Sequence, residues 1–199
     1  ILMVAPLSSH ATLGRIAALH TPKMCIDFID IGLRPIRADM SLYPMSLIEN
    51  YYDLRSKNLD SFLLNPSRWN IIIDALRSWG VFPEDRKLKK IFNELVQKSK
   101  PDIIYFYYGS LSMRYIRLLN EGFSAPTIQV FNTYPITLES ENKILRFFKR
   151  LFINEFVDYK MYSHKVTVYV AASLPMFNFV KAKLKVPENA ITIMPDYLP

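Results

Sequence analysis

The chain has 199 residues, 50% hydrophobic and 14% aromatic, enough to bury the core of one domain. Its net charge of +7 points to an anionic partner, whether nucleotide, nucleic acid or acidic membrane surface, without choosing among them. A single cysteine, Cys25, excludes an intrachain disulfide, and no apolar run reaches the ~18 residues of a membrane-spanning helix.

Ile1–Val4 is a short apolar run stopped at Ala5-Pro6, and it reads as a buried parallel strand. It is too short, and lacks the basic flank, to serve as a secretory leader. Leu7–Thr12 then forms a loop before a helix over Leu13–Leu19. In a doubly wound sheet, ligands bind outside the carboxyl ends of strands, beside helix N-termini. That places Ser8, Ser9, His10 and Arg15 among the candidate site residues. His10 fits either a substrate hydrogen bond or a helix cap. The dinucleotide fingerprint G-x-G-x-x-G is missing, since only Gly14 is nearby.

Cys25–Ile31 is the second strand candidate. Cys25, inside an apolar run, is expected to be a small buried side chain, with the reducing cytoplasm as the default setting. Asp27 and Asp30 are unusual in such a run, and an acidic residue after a second strand can bind ribose hydroxyls. Gly32–Pro44 is a loop, and Ser46–Leu64 and Ser67–Trp79 read as extra helices covering the sheet. Trp69, Ile72, Ile73, Leu76 and Trp79 supply a core stripe. Tyr51, Tyr52 and Arg55 fit either an acceptor pocket or packing.

Glu84 and Asp85 open a helix whose apolar stripe is Leu88, Ile91, Phe92, Leu95 and Val96. Lys100-Pro101-Asp102 leads into a strand over Asp102–Tyr107, and Ser112–Asn120 begins another helix. Thr127–Phe131 is the next strand, followed by Asn132, Thr133 and Tyr134 at its carboxyl end. Glu141–Tyr159 is read as a helix with Lys143, Arg146, Lys149 and Arg150 in one arc about 100° wide. Ile144, Leu145, Phe147, Phe148, Leu151, Phe152 and Phe156 fill the opposite arc. Two readings stand. It is a core helix with a solvated basic side, or it contacts an anionic membrane through Lys143, Arg146, Phe147, Lys149 and Arg150. Nucleic-acid binding is not expected, because the aromatics lie opposite the basic stripe.

Val166, Val168 and Val170 alternate with Thr167 and Tyr169 in a strand over Val166–Tyr169. Ser173 then caps a helix over Leu174–Lys185, with Pro175 near its first turn. Val186–Asn189 breaks it, and Ile191–Met194 forms a further strand before Pro195. Strand, helix and strand without a hairpin turn make a right-handed βαβ unit. Six strand candidates alternating with helices predict a Rossmann-like three-layer α/β sandwich with a mainly parallel sheet. The expected domain organisation is one domain over residues 1–199. No His/Cys/Asp/Glu cluster has metal-ligand spacing.

The run VTVYVAASLPMFNFVKAKLKVPENAITIMPDYLP resembles the end of the N-terminal domain of family 4-type, GT-B-fold glycosyltransferases. Ser173, Lys185-Val186-Pro187 and Ile191 through Pro195 carry that likeness, while Asp196-Tyr197 replaces the family's glycine after the proline. Lys100-Pro101-Asp102-Ile103-Ile104 is a second point of resemblance. The resemblance implies an acceptor-side domain that forms one wall of an interdomain cleft. A sugar or lipid-linked acceptor would bind here, and the nucleotide-sugar would bind chiefly in a C-terminal domain that this chain lacks. It implies no metal or other cofactor, and no transferase activity for this domain alone. In the family, the strand before Asn132 commonly ends in a histidine. An amide can hydrogen-bond a sugar hydroxyl but cannot act as a general base at neutral pH. The competing reading is therefore a non-catalytic Rossmann-like binding or scaffold module. The expected location is cytoplasmic, with peripheral attachment to the membrane face if the basic helix is exposed.

Overall fold

The computed structural model describes residues 1–7, 10–19, 21–31, 45–54, 83–107, 115–132 and 163–195. Among these, seven strands form one sheet: β1 (Leu2–Ala5), β2 (Asp27–Asp30), β3 (Asn50–Asp53), β4 (Ile104–Tyr107), β5 (Thr127–Phe131), β6 (Val168–Ala171) and β7 (Ile191–Ile193). Their order is β3-β2-β1-β4-β5-β6-β7, and every neighbouring pair is parallel. Residues of β1 and β4 are buried throughout, as expected of central strands covered on both faces. The fold is the Rossmann-like α/β sandwich expected from the sequence, with one strand more.

Three helices have defined bounds: α1 (His10–Leu19), α2 (Pro83–Ser99) and α3 (Leu174–Leu184). Residues 115–118 are also helical. Alternate side chains of each strand serve opposite faces. Leu2, Val4, Ile104, Phe106 and Phe131 pack with Phe92 and Val96 of α2, Tyr115 and Ile116, and Met176 and Val180 of α3. Met3, Ala5, Phe28, Tyr105, Tyr107 and Val130 pack on the other face with Ile16 of α1, Ile26 and Ile48. The α2 stripe falls where its 3.6-residue period puts it, and Lys87, Lys89, Lys90 and Lys98 are exposed.

The end of the chain folds locally as its residues dictate. Ser173 is extended and its Oγ accepts the Met176 N–H at 3.3 Å, capping α3, and proline stands in the first turn. Lys185 closes α3 in the left-handed region at φ 56°, before Val186-Pro187 forbids continuation. Ile191–Ile193 then pairs with Tyr169–Ala171, completing the βαβ unit.

Two expectations are corrected. The helix read over Ser46–Leu64 is not one over residues 50–53, which form edge strand β3 in register with Asp27–Asp30. Its two central tyrosines serve opposite faces of the sheet. Tyr51 packs with the α1-side core and Tyr52 with the α2-side core, so no alternation of polar and apolar residues marks the strand. The Asn50 amide also donates to Asp27 Oδ1 at 2.8 Å, tying β3 to β2 through side chains. Cys25 is exposed rather than buried, because it precedes β2 and its apolar neighbour Ile26 takes the core position. The helices read over residues 55–82 lie outside the described residues. So does the basic helix over Glu141–Tyr159 with Lys143, Arg146, Phe147, Lys149 and Arg150.

The amino edge of the sheet is pinned by polar side chains. Lys165, whose side chain is 8% exposed, donates from Nζ to the Leu119 carbonyl and sits 2.9 Å from a Glu121 carboxylate oxygen. That lysine hydrogen bond, followed by one from His164, holds the Glu121 carboxyl below its usual range. Gly122 follows at φ +74°, a conformation side-chain-bearing residues rarely adopt.

Tyr169 of β6 stacks on Phe131 at 6.1 Å between ring centroids, and its hydroxyl is buried with no hydrogen-bond partner. Burial pushes this phenol up to about 12. The unfolded phenol titrates at its ordinary value of 10, so the unfolded state gains charge first as pH rises. Stability from this group is complete below pH 10 and is lost as pH climbs toward 12. Tyr169→Phe is therefore expected to stabilise the fold by roughly 1 kcal/mol at pH 7, by removing an unsatisfied hydroxyl. The advantage should widen in urea titrations above pH 10. A Tyr169→Phe protein less stable than the parent at both pH values would contradict this account.

Candidate functional site

All seven strands end on the same edge of the sheet, so their following loops gather there. From β1 the chain moves outward through β2 to β3, then returns to add β4 on the other side of β1. The direction of winding reverses between β1 and β4. Connections on the two sides of that point cover opposite faces: α1 lies on one, while α2 and residues 115–118 lie on the other. Such a reversal leaves a crevice outside the carboxyl ends of the strands, the usual ligand position in open α/β sheets.

The crevice wall on the β1 side begins at Pro6-Leu7, and α1 starts at His10. The N-terminus of α1 brings the positive end of its dipole to this edge. Thr12, in its first turn, is fully buried and its hydroxyl has no hydrogen-bond partner. Arg15 lies one turn further and is 5% exposed. Its guanidinium carbon sits 5.8 Å from the ring centroid of Tyr107, the last residue of β4. A cation over an aromatic face is attracted by the ring quadrupole. Arg15 thus bridges α1 and the end of β4.

Asp30 ends β2 and is fully buried. Its Oδ1 accepts the Leu7 N–H at 3.1 Å and its Oδ2 accepts the Tyr51 hydroxyl at 2.8 Å. With both oxygens engaged inside the protein, the ribose-binding role weighed for this residue has no geometric support. Asn132 follows β5 directly, is half-buried, and its Oδ1 is shielded from solvent with no hydrogen-bond partner. The N-terminus of α3 arrives at the same edge after β6.

Of the residues singled out from sequence, Arg15 and Asn132 lie at this edge, and α1 begins at His10. The side chain of His10, and Ser8, Ser9, Thr133 and Tyr134, lie outside the described residues. Sequence reading missed the Leu7–Asp30–Tyr51 constellation because residues 50–53 carried no strand signal. An aspartate closing an apolar run was the available hint. Among the described residues, no group of three His, Cys, Asp or Glu side chains is placed to hold a metal ion.

No family model and no curated protein matches this chain. A solved structure does. The crystal structure of a glycosyltransferase from Rickettsia africae ESF-5 superposes with a TM-score of 0.52 at 14% identity, covering 98% of this chain. The fold is glycosyltransferase-like. This chain spans 42% of the length of that one. Likeness at such low identity speaks for the fold, and the architecture it supports is the seven-stranded parallel sheet.

Proposed function

We propose that this chain is the acceptor-side domain of a two-domain glycosyltransferase of the GT-B type. Its carboxyl edge forms one wall of the cleft in which sugar passes from a nucleotide-sugar to an acceptor. The observation that carries this reading is the reversal of winding between β1 and β4, with the α1 N-terminus and Arg15 beside it. The glycosyltransferase-like fold over 98% of the chain supports it. Asn132 brings a half-buried amide to this edge, and an amide can hydrogen-bond a sugar hydroxyl. The net charge of +7 suits a diphosphate-bearing donor or an anionic lipid-linked acceptor. The nucleotide-sugar is held chiefly by the second domain, and no metal is required when helix dipoles and basic side chains offset the leaving diphosphate.

A specific observation favours the second reading, a non-catalytic binding or scaffold module. Asn132 cannot take a proton from an acceptor hydroxyl at neutral pH, and Asp30 has both oxygens committed to Leu7 and Tyr51. A transferase would then draw its base from Ser8–His10, from residues 133–134 or from the second domain.

Saturation-transfer NMR against a panel of free and lipid-linked saccharides separates the two. The acceptor reading expects millimolar-range binding that Asn132→Ala weakens by about fivefold to tenfold, the worth of one hydrogen bond. Calorimetry should find no nucleotide-sugar binding in the micromolar range. No saccharide bound at all, or micromolar nucleotide-sugar affinity, would overturn the proposal.

A further inference from the structure

The Leu7–Asp30–Tyr51 constellation stands behind the crevice. Pro6 has no backbone N–H, so Leu7 offers the first amide of the β1–α1 loop. That amide is turned inward, to Asp30 Oδ1 at 3.1 Å. A carboxylate accepting a backbone N–H makes a stronger and more directional bond than a neutral acceptor. Leu7 itself is fully buried in the α1-side core, which fixes the loop from its apolar side as well.

The carboxylate is itself held. Its Oδ2 accepts the Tyr51 hydroxyl at 2.8 Å. Tyr51 and Phe28 are register partners on adjoining strands, with ring centroids 6.2 Å apart and planes 7° from parallel. That stack presets the tyrosine ring so that its hydroxyl reaches across β2 to Asp30. The Leu54 N–H, donating to the Asp30 carbonyl at 2.8 Å, ties the end of β3 to the same residue. Edge strand β3 is thereby coupled to the loop after β1, two strands away.

We infer that Asp30 is a positioning residue: its carboxylate, braced by Tyr51, sets where the β1–α1 loop leaves the sheet and so how the crevice presents its acceptor-side wall. This inference rests on the proposed acceptor function for its ligand consequence, but the pinning of Leu7 stands by itself. Asp30 does not touch ligand. It acts through the Leu7 amide. Asparagine can keep the arrangement, because its side-chain oxygen accepts from Leu7 while its amide donates to the Tyr51 oxygen. Alanine cannot.

The test compares Asp30→Ala, Asp30→Asn and Tyr51→Phe by amide hydrogen exchange, and by saturation-transfer NMR with the saccharide that best binds the parent protein. Asp30→Ala should speed exchange of the Leu7 amide by about 100-fold or more while core amides of Val4 and Phe106 stay protected, a local opening rather than a global one. It should weaken saccharide binding by about tenfold, the size of a lost loop placement. Asp30→Asn should restore both to within about threefold, a rescue that charge removal alone does not predict. Tyr51→Phe keeps the carboxylate and supplies a milder variant should Asp30→Ala fail to fold. Its Leu7 exchange should lie between that of the parent and Asp30→Asn on one side and Asp30→Ala on the other. Unchanged Leu7 exchange in both Asp30→Ala and Tyr51→Phe would overturn the inference. So would a rise shared equally by Val4 and Phe106, or saccharide affinity unchanged once Leu7 is freed. If the parent binds no saccharide, the acceptor reading falls, and the exchange data alone decide the positioning role.

Discussion

Phe106→Ala should cost this protein about 3–5 kcal/mol of folding stability, the largest loss expected from any single truncation in the described core. Phe106 sits on β4, flanked by β1 and β5, and is fully buried. Its ring lies 6.5 Å from that of Phe92 on α2, which in turn meets Tyr115 edge-on at 5.5 Å. Removing it opens a void where sheet, α2 and residues 115–118 converge. Each neighbour is anchored by backbone pairing or helix geometry, so the void cannot close fully. Lost transfer energy and the residual cavity therefore add. For a chain of this size the melting temperature should fall by roughly 6–20 °C. Phe106→Leu keeps most of the volume and should lose much less. Urea unfolding of the pair decides the matter. A loss below about 1 kcal/mol for the alanine variant would show that the site collapses, against the packing described.

Asn93→Leu is the second large expected effect, at about 2–4 kcal/mol, although the change makes the side chain more apolar. Asn93 lies on α2 and is buried. Its amide nitrogen donates to the Lys89 and Leu118 carbonyls, each at 2.7 Å, and its oxygen accepts the Asn120 N–H at 2.9 Å. One side chain thus satisfies backbone groups at the end of the helical residues 115–118 and ties them to α2. Leucine fills the volume but takes the side-chain partner from the buried Leu118 carbonyl and from the part-buried Asn120 N–H. That desolvation penalty, rather than lost packing, sets the size of the effect. The neighbouring Glu94 makes the contrast. It meets Lys90 at 3.9 Å in the open, and Glu94→Ala should cost no more than about 0.5 kcal/mol. If the two substitutions destabilised equally, the bridging role of Asn93 would be wrong.

The β6–α3–β7 unit was legible in its order and its punctuation, with β6 at Val168–Ala171 lying two residues after the Val166–Tyr169 read from sequence. Its valine alternation, the serine cap, the early proline and the Val186-Pro187 break each act over a few residues, and neighbours in sequence supply their partners. Strand β5 over Thr127–Phe131 and the α2 stripe were legible for the same reason. Strand β3 was not. Tyr51 and Tyr52 are strand residues only because Phe28 and Ile29 lie beside them, and an edge strand covered on both faces shows neither alternation nor a long apolar run. Cys25 was misjudged because hydrophobic neighbours in sequence do not say where a strand begins.

The candidate site divides along the same line. The sequence by itself determined that strands alternate with helices, that the sheet is parallel, and that residues such as Arg15 and Asn132 follow or flank strand ends. Those are consequences of local periodicity and of the handedness of βαβ connections. Only the tertiary structure decided that winding reverses between β1 and β4, which locates the crevice. It alone put the Arg15 guanidinium over Tyr107, 92 positions away in the chain, and closed Asp30 between Leu7 and Tyr51. The physical reason is that a buried charge has no partner prescribed by its own neighbours in sequence. It takes whichever dipole, hydroxyl or ring the packing of distant strands brings within reach, and that packing is a property of the whole sheet.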